Sequence, residues 1–195
     1  MNTKNCKEEL IDITISLIND NKGDVDKVTI RDISAKSGVS IGLINYHFGN
    51  KEKLIAECVQ KIITKVVKEF KPNMEIGASL PPFEARKARL IDSACKVFDF
   101  FFAYPSISRI SILNDHSHFT NDTNSYFAIK GFSSIIGDAV NDRSKKELIS
   151  FSLASCMQVT FLKAVEDKNF LDYDFSIQED RNRYITDLID ILMEK

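Results

Sequence analysis

The side chains best suited to bind a ligand lie in one stretch of the chain, between Thr29 and Lys51. Hydroxyl, imidazole and ammonium groups at helix starts suit phosphate oxygens, which position a protein on DNA without reporting base sequence. Asparagine can bind adenine through two hydrogen bonds, and aliphatic side chains fit the thymine methyl group. The stretch therefore predicts phosphate contacts from Thr29, Ser40, Tyr46, His47 and Lys51, base contacts from Ile41, Leu43 and Asn45, and a guanine or phosphate contact from Arg31.

Two short helices joined by a sharp turn must position these side chains. Thr29 followed by Asp32 predicts a helix start, because the hydroxyl accepts from a free N–H and the carboxylate favours the positive end of the helix. Gly38 can adopt the left-handed conformation that ends a helix, and Ser40 can cap the next one. This is the pattern of a helix-turn-helix, whose second helix, about Ile41 to Phe48, can enter a major groove.

Two residues in this stretch are unfavourable for helix stability. Gly42 costs a helix up to about 1 kcal/mol relative to alanine, and close approach to a phosphate or a base edge would compensate. Lys51 stands in the first turn of the following helix, where a cation opposes the helix dipole. Both features favour contact with DNA. For Tyr46 and His47, packing inside the small helical domain is the alternative to an outward contact.

Four short motifs follow one another along this stretch: Thr29–Ile33, Ser37–Gly42, Asn45–Phe48 and Lys51–Leu54. Together they resemble the signature of TetR-type transcriptional regulators. The resemblance implies an all-helical, homodimeric DNA-binding protein, usually a repressor that a small molecule releases from its operator. Relatives commonly carry a Gly-aromatic pair after the first helix, whereas residues 22–27 are polar here.

Apolar spacing and proline breaks predict the domain organisation. A first helix is expected from Thr3 to about Asn19, and apolar pairs every four residues from Leu54 to Phe70 predict a helix that contacts two bodies. Pro72 and the Pro81-Pro82 pair mark a joint. We therefore predict an all-α fold with a three-helix helix-turn-helix domain at 1–49, a linking helix at 50–71 and a larger C-terminal ligand-binding and dimerisation domain at 83–195.

The last two helices of this C-terminal domain are candidates for a dimer contact. Capping boxes predicted at Ser144 with Glu147 and at Ser176 with Glu179 would start them. Adjacent amphipathic helices at the end of a helical domain suggest a four-helix interface across a two-fold axis. The alternative is that they only close the core of one protomer. The helices expected after the joint run about Phe83–Tyr104, Ser106–Leu113, Tyr126–Val140, Lys145–Asp167 and Ile177–Met193.

Aromatic residues with a few polar groups predict an apolar ligand cavity in the C-terminal domain. An ordinary core needs the same mixture, so core packing remains the alternative for each phenylalanine. The predicted lining is Phe98, Phe101, Phe102, Arg109, Phe127, Phe132, Gln158 and Phe161.

One cluster has a metal-like spacing, the His116-x-His118 pair with Asp115 and Asp122. No third strong ligand is fixed by the spacing, so a solvated loop is favoured and we predict no metal and no cofactor. An enzyme that uses the His116/His118 loop is a remote alternative, since the sequence has no nucleophile elbow, phosphate loop or paired cysteines.

Composition excludes several other classes of protein. The net charge of −2 argues against a general coat for nucleic acid, although the first 71 residues are net positive. Four separated cysteines predict small core residues in a reducing compartment. No apolar stretch is near the roughly 20 residues that span a bilayer. We expect a cytoplasmic, sequence-specific DNA-binding regulator released by a small molecule, or else one controlled by a protein partner or constitutive.

Overall fold

The computed structural model describes residues 3–69, 75–76, 79, 81–117 and 119–194. Helices account for most of them, as predicted, and the all-α fold class is confirmed. A short 3₁₀ helix, Val25–Lys27, precedes Ile30, another, Gly137–Ala139, follows Ile136, and strands β1 (Asn169–Phe170) and β2 (Tyr173–Asp174) form a hairpin. The α-helices are α1 (Thr3–Asp20), α2 (Ile30–Ser37), α3 (Ile41–Phe48), α4 (Lys51–Glu69), α5 (Pro82–Ala103), α6 (Pro105–Ser117), α7 (Asn124–Ile136), α8 (Arg143–Glu166) and α9 (Gln178–Leu192).

The chain folds as two compact units. The first comprises Met1–Val66 with Tyr104–His118, and the second comprises Val67–Ala103 with Phe119–Lys195. The domain boundaries predicted from the sequence stay a proposal. Phe70 and Pro72, which belong to the predicted linking helix and joint, lie outside the described residues.

The core of the first unit is lined by one face of α1. Leu10, Thr14 and Ile18 are fully buried, and the Thr14 hydroxyl donates to the Leu10 carbonyl oxygen at 2.7 Å. That internal hydrogen bond explains how a threonine occupies a core position, because a buried hydroxyl must find a partner. Ile33, Ile44 and Leu54 bring α2, α3 and α4 onto the same core, each at 0% exposure.

Helix α6 belongs to this first unit and is longer than the sequence predicted. The sequence analysis ended a short helix near Leu113 and placed Asp115 and His116 in a loop, which is wrong. Both lie on the last turn of α6, where the Ser117 hydroxyl donates to the Leu113 carbonyl. Ile112 and Asp115 are both buried, so the inner face of the helix extends into its last turn.

The start of α6 contacts the connection between α1 and α2. Gly23 has a φ of +82°, and a Cβ built on it would meet Tyr104 at 3.4 Å and Ile107 at 3.6 Å. The polar connection at residues 22–27 therefore turns closely past α6 before the 3₁₀ helix Val25–Lys27 leads into Thr29.

An aromatic cluster and one ion pair organise the second unit. Phe98 and Phe175 are fully buried, with ring centroids 6.1 Å apart. The Arg181 guanidinium lies 5.0 Å above the Phe102 ring, donates to the Phe175 carbonyl at 3.0 Å and pairs with Asp99 at 2.8 Å. This arginine ties α5, α9 and the segment after the hairpin together.

Both capping boxes predicted for the last two helices are wrong. The N-cap of α8 is Asp142, whose carboxylate accepts from the Lys145 N–H at 3.0 Å, so the helix starts before Ser144. The Ser176 hydroxyl donates to Asp174, and α9 begins at Gln178 without a side-chain cap. At α8 an aspartate replaces Ser144 as the cap, and before α9 the predicted cap Ser176 binds an aspartate in place of a helix N–H.

Helix α8 is long and apolar enough to cross a membrane by length and composition alone. The sequence analysis missed this because serine, threonine and glutamine interrupt its apolar run. Half of its most apolar window is buried within the protein, and α8 packs against α7 and α9. These contacts are those of a core helix.

The four cysteines are all unpaired, and only Cys58 is fully buried. Burial raises the pKa of the Cys58 thiol to about 12 and that of Cys95 to about 11. Because the thiolate is the reactive form, both are held as inert thiols near neutral pH. Cys6, Cys95 and Cys156 are half-buried, so the prediction of core cysteines is correct for Cys58 alone.

The turn between α2 and α3 has the conformation predicted from the sequence. Gly38 has φ +69° and ψ +6°, and its N–H donates to the Ser34 carbonyl at 2.9 Å. The Ser34 hydroxyl donates to the Val39 carbonyl at 2.7 Å. A Cβ on Gly38 would meet nothing within 4 Å, so the backbone conformation alone requires glycine.

We expect Gly38→Ala to lower the free energy of unfolding by about 1 to 2 kcal/mol, the cost of an L side chain in the left-handed region. Gly38→Asn should cost less, because asparagine tolerates that conformation. Urea unfolding measures both. Gly42→Ala is the matched control, since Gly42 is helical and also open on its Cβ side, so it should not destabilise. Wild-type stability in Gly38→Ala would contradict a strained turn.

Candidate nucleic-acid interface

The outer face of α3 is exposed although much of it is apolar. Ile41, Leu43 and Tyr46 are 39%, 42% and 79% exposed, and Asn45 is exposed between them. Ile44, on the opposite face, is fully buried. A group of exposed apolar side chains on one helix marks a surface that binds another molecule. The residues predicted to contact bases therefore share one accessible face.

Tyr46 and His47 have different surroundings. The exposure of Tyr46 excludes packing inside the unit for that residue. His47 is half-buried, with its ring centroid 5.5 Å from that of Tyr46 and 6.3 Å from that of the buried Phe48. His47 thus connects the core to the exposed face and is placed both to pack and to reach outward.

The two N-cap hydroxyls, of Thr29 and Ser40, make different numbers of hydrogen bonds within the protein. The Thr29 hydroxyl donates to the Asp32 carboxylate at 2.6 Å and accepts from the Asp32 N–H, while Asp32 also accepts from the Thr29 N–H. The Ser40 hydroxyl accepts from the Leu43 N–H at 3.3 Å, which leaves its proton for an outside acceptor. Ser40 is therefore the better placed phosphate donor, since Thr29 would have to release Asp32 first.

The start of α4 carries an asparagine cap and a lysine, Asn50 and Lys51. The Asn50 side chain caps α4 by accepting from the Lys53 N–H at 2.9 Å. Hydrogen bonds from Thr29, first from its side chain, lower the pKa of the Asp32 carboxyl, and the charge of Lys51 lowers it further. Lys51 thus acts electrostatically on the first turn of α2. Helix N-termini favour anions.

The charge around α3 is favourable for an anionic partner. No aspartate or glutamate occurs between Asp32 and Glu52. Lys36 is tied to Asp20 at 2.9 Å, whereas Arg31 is exposed on the first turn of α2. A stretch with cations and no carboxylate of its own attracts phosphate even though the whole chain is net negative, and the exposed Asp32 and Glu52 lie at its two ends.

Four of the predicted ligand-cavity residues pack directly against one another. Phe98, Phe101, Phe102 and Phe161 have ring centroids between 5.2 and 6.2 Å apart. Edge-to-face packing of this kind fills the space between α5 and α8. The structure therefore describes a packed aromatic cluster at this position.

The other four predicted cavity residues lie elsewhere. The buried Gln158 donates to the Ser125 hydroxyl at 2.7 Å, and Phe132 is buried. Phe127 is 45% exposed, and Arg109 is exposed on α6 of the first unit. The structure does not bring the eight residues around one cavity.

The residues of the metal-like spacing are also separated. Asp115 is buried and His116 exposed on α6, while Asp122 lies in a turn of the second unit. His118 lies outside the described residues. Over the part of the chain that the structure describes, no group of three or more histidine, cysteine, aspartate or glutamate side chains is placed to hold a metal ion.

A groove that the sequence did not predict lies between α8, α9 and the hairpin. It has a volume of about 640 Å³ and includes Val159, Leu171, Tyr173, Tyr184 and Ile191 in its lining. The two-residue turn that shapes its rim carries no glycine or asparagine, so the usual hairpin signal was missing.

Comparison with known proteins agrees with this architecture. Residues 21–58 match the family described as bacterial regulatory proteins, tetR family. A stretch of 72 residues is 36% identical to the HTH-type transcriptional dual regulator CecR of Shigella flexneri, and it covers 35% of this chain and 32% of that protein. The match thus spans about a third of the curated relative's length.

Solved structures resemble the chain over nearly its whole length. A tetR-family transcriptional regulator from Streptomyces coelicolor has a TM-score of 0.60 at 17% identity, covering 98% of this chain and 80% of that one. A TetR transcriptional regulator from Rhodococcus sp. RHA1 and a putative one from Mesorhizobium loti each have a TM-score of 0.56 at 14% identity, with 98% of both chains covered. At these identities the likeness concerns the fold. The N-terminal segment is thus similar in sequence to bacterial regulatory proteins of the tetR family, and the fold of the chain is similar to that of solved TetR regulators.

Proposed function

We propose that the protein is a sequence-specific DNA-binding transcriptional regulator that acts as a homodimer in the cytoplasm. The observation that carries this proposal is the outer face of α3, where Ile41, Leu43, Asn45 and Tyr46 are exposed together. A helix of this kind, which follows α2 directly after the left-handed turn at Gly38, fits the major groove. Asn45 would bind adenine and the two aliphatic residues would contact thymine methyl groups.

Gly42 supports close approach of α3 to DNA. A Cβ at this position would meet nothing within 4 Å, so packing within the protein does not require glycine. Glycine nevertheless costs helix stability relative to alanine. A phosphate or base edge that comes within contact distance of the helix backbone would explain the residue.

The proposed phosphate contacts would lie on both sides of the outer face of α3. Ser40 and Lys51 stand at the starts of α3 and α4, and Arg31 is exposed on the first turn of α2. Thr29 and His47 remain in the proposed set, Thr29 after release of Asp32. These contacts would set the register of α3 in the groove and contribute affinity that falls with salt.

The dimer would form through α8 and α9. Leu148, Phe151 and Val159 are 65%, 54% and 57% exposed along one side of α8, and Ile191 of α9 is 71% exposed. The half-buried Ser155 lies in the same stripe and allows close helix approach. A two-fold axis through this stripe would bury it against itself and present two copies of α3 to half-sites about 34 to 36 Å apart.

A small molecule bound in the second unit would control DNA binding in this proposal. Its site would be the aromatic cluster of Phe98, Phe101, Phe102 and Phe161, opened by the ligand. Helix α5, which carries three of these rings, is followed directly by α6, whose first turn contacts Gly23 just before α2. Movement of α5 would thus reach α2 through α6, and along α4 as well, so that ligand and DNA weaken each other's binding.

Control by a protein partner, or no control, is the second candidate. The closed packing of the aromatic rings favours it, because the rings already fill the space that a ligand would take. A thermal-shift screen of apolar and cationic small molecules separates the two candidates. A binder that leaves operator affinity unchanged would contradict ligand control.

Selection of binding sites from a random DNA pool, followed by sequencing, tests the proposed function. We expect a near-palindromic motif with a fixed half-site spacing, because a two-fold dimer reads the same sequence twice. Recovery of no motif at low salt, where binding is strongest, would contradict sequence-specific recognition.

Two substitutions separate phosphate contacts from base contacts. Lys51→Ala should weaken binding to all sequences about equally, and it should reduce the slope of log binding constant against log salt concentration by about one unit. Asn45→Ala should cost about 1 to 3 kcal/mol of binding free energy and relax the preference at one base position. Fluorescence anisotropy with the selected site and single-base variants measures both. Lys65→Ala, an exposed lysine further along α4, is the control for loss of charge and should leave both quantities unchanged. The reverse pattern would exchange the two roles.

Gly42→Ala should have opposite effects on folding and on DNA binding. Alanine should raise the free energy of unfolding by up to about 1 kcal/mol through its helix propensity, while its methyl group should weaken operator binding. Gly131→Ala, in α7 and equally open on its Cβ side, is the matched control and should change stability alone. Unchanged operator affinity in Gly42→Ala would exclude close backbone approach at this position.

A further inference from the structure

The hairpin between α8 and α9 is built on an unfavourable turn. Its strands pair Asn169 with Asp174 and Phe170 with Tyr173. The two turn residues, Leu171 and Asp172, have φ values of +53° and +61°. Two-residue turns with both residues left-handed strongly prefer asparagine or aspartate followed by glycine. Leucine is therefore strained here, and a residue kept in a strained conformation points to a role outside local folding.

Burial within the protomer does not compensate for this strain. The Leu171 side chain is 57% exposed. A leucine that stabilised the hairpin through its own packing would be buried among other apolar groups. More than half of this large apolar side chain therefore stays accessible at the tip.

Polar contacts with α9 hold the hairpin in place. The Arg183 guanidinium donates to the Asp172 carbonyl at 3.3 Å and lies 4.8 Å above the Tyr173 ring. The Tyr173 hydroxyl donates to Asp187 at 2.7 Å, and the Asp174 N–H donates to Asp180 at 2.8 Å. The tip is therefore presented on a fixed support.

The tip is continuous with the apolar stripe proposed as the dimer contact. Leu171 lines the same groove of about 640 Å³ as Val159 of α8 and Ile191 of α9, which are 57% and 71% exposed. The one carboxylate in the lining, Asp187, already accepts from Tyr173. The groove thus fits an apolar occupant, and its rim belongs to a surface that a second copy of this chain would cover.

We propose that the hairpin tip is part of the homodimer contact, with Leu171 packing on the second copy while the apolar stripe of that copy covers the groove. In a two-fold interface each protomer makes both contacts, so the dimer buries two copies of Leu171. The interface would hold Leu171 in its left-handed conformation. This inference rests on the proposed dimer through α8 and α9.

The test is Leu171→Gly, which removes the side chain and relieves the backbone strain together. The hairpin should fold at least as well, so the urea midpoint measured at concentrations where the protein is monomeric should not fall. The dimer dissociation constant, measured by sedimentation equilibrium, should rise about tenfold or more, since two buried leucines are lost. A dissociation constant within twofold of wild type would overturn the proposal.

Asp172→Gly is the matched control, because it relieves the same kind of strain one residue away and keeps Leu171. It should leave the dissociation constant unchanged. If Asp172→Gly weakened the dimer as much as Leu171→Gly, the effect would come from turn flexibility and the proposed leucine contact would be wrong.

Val159→Asp separates this inference from the dimer on which it rests. Loss of the dimer in Val159→Asp with an intact dimer in Leu171→Gly would keep the proposed interface and overturn the role of the tip. An intact dimer in Val159→Asp, or a wild-type protein that stays monomeric, would overturn both. Binding of the apolar dye anilinonaphthalene sulfonate to the wild-type dimer, lost in Leu171→Gly without a change in dissociation constant, would make the groove a small-molecule site instead.

Discussion

The left-handed turn at Gly38 is the constraint on which the exposed face of α3, the proposed DNA-binding surface, depends. It ends α2 while the Ser34 hydroxyl donates to the Val39 carbonyl, so that Ser40 can cap α3 two residues after the turn. Ile44 then enters the core and the opposite face of α3 stays exposed. Because nothing crowds a Cβ at Gly38, the requirement lies in one backbone torsion and not in packing.

Gly42 and Leu171 follow a common physical logic. Each is unfavourable for the element that contains it, glycine in a helix and leucine in a left-handed turn, and neither is compensated by packing within the protomer. A residue that destabilises its own element and gains nothing from packing within the protomer indicates a contact with another molecule at that surface. In one unit that molecule is DNA in our proposal, and in the other it is a second copy of the chain.

The second unit is held by a different kind of interaction. Arg181 pairs with Asp99, stacks on Phe102 and binds the Phe175 carbonyl, which joins α5, α9 and the end of the hairpin in one network. An arginine can do this because its planar group offers several donors and an apolar face. Arg181 therefore contacts both the aromatic cluster, through Phe102, and the segment that follows the hairpin, through the Phe175 carbonyl.

The sequence by itself determined the elements whose signals are local. The cap at Thr29 and the turn at Gly38 depend on residues within one helical turn, and the family signature lies in the same stretch. Tertiary structure decided what depends on distant partners: α6 continuing to Ser117, and the predicted cavity phenylalanines packing as a cluster. Which side of a helix is buried, and which rings meet, follows from the packing of separate elements, and spacing along the chain does not encode it.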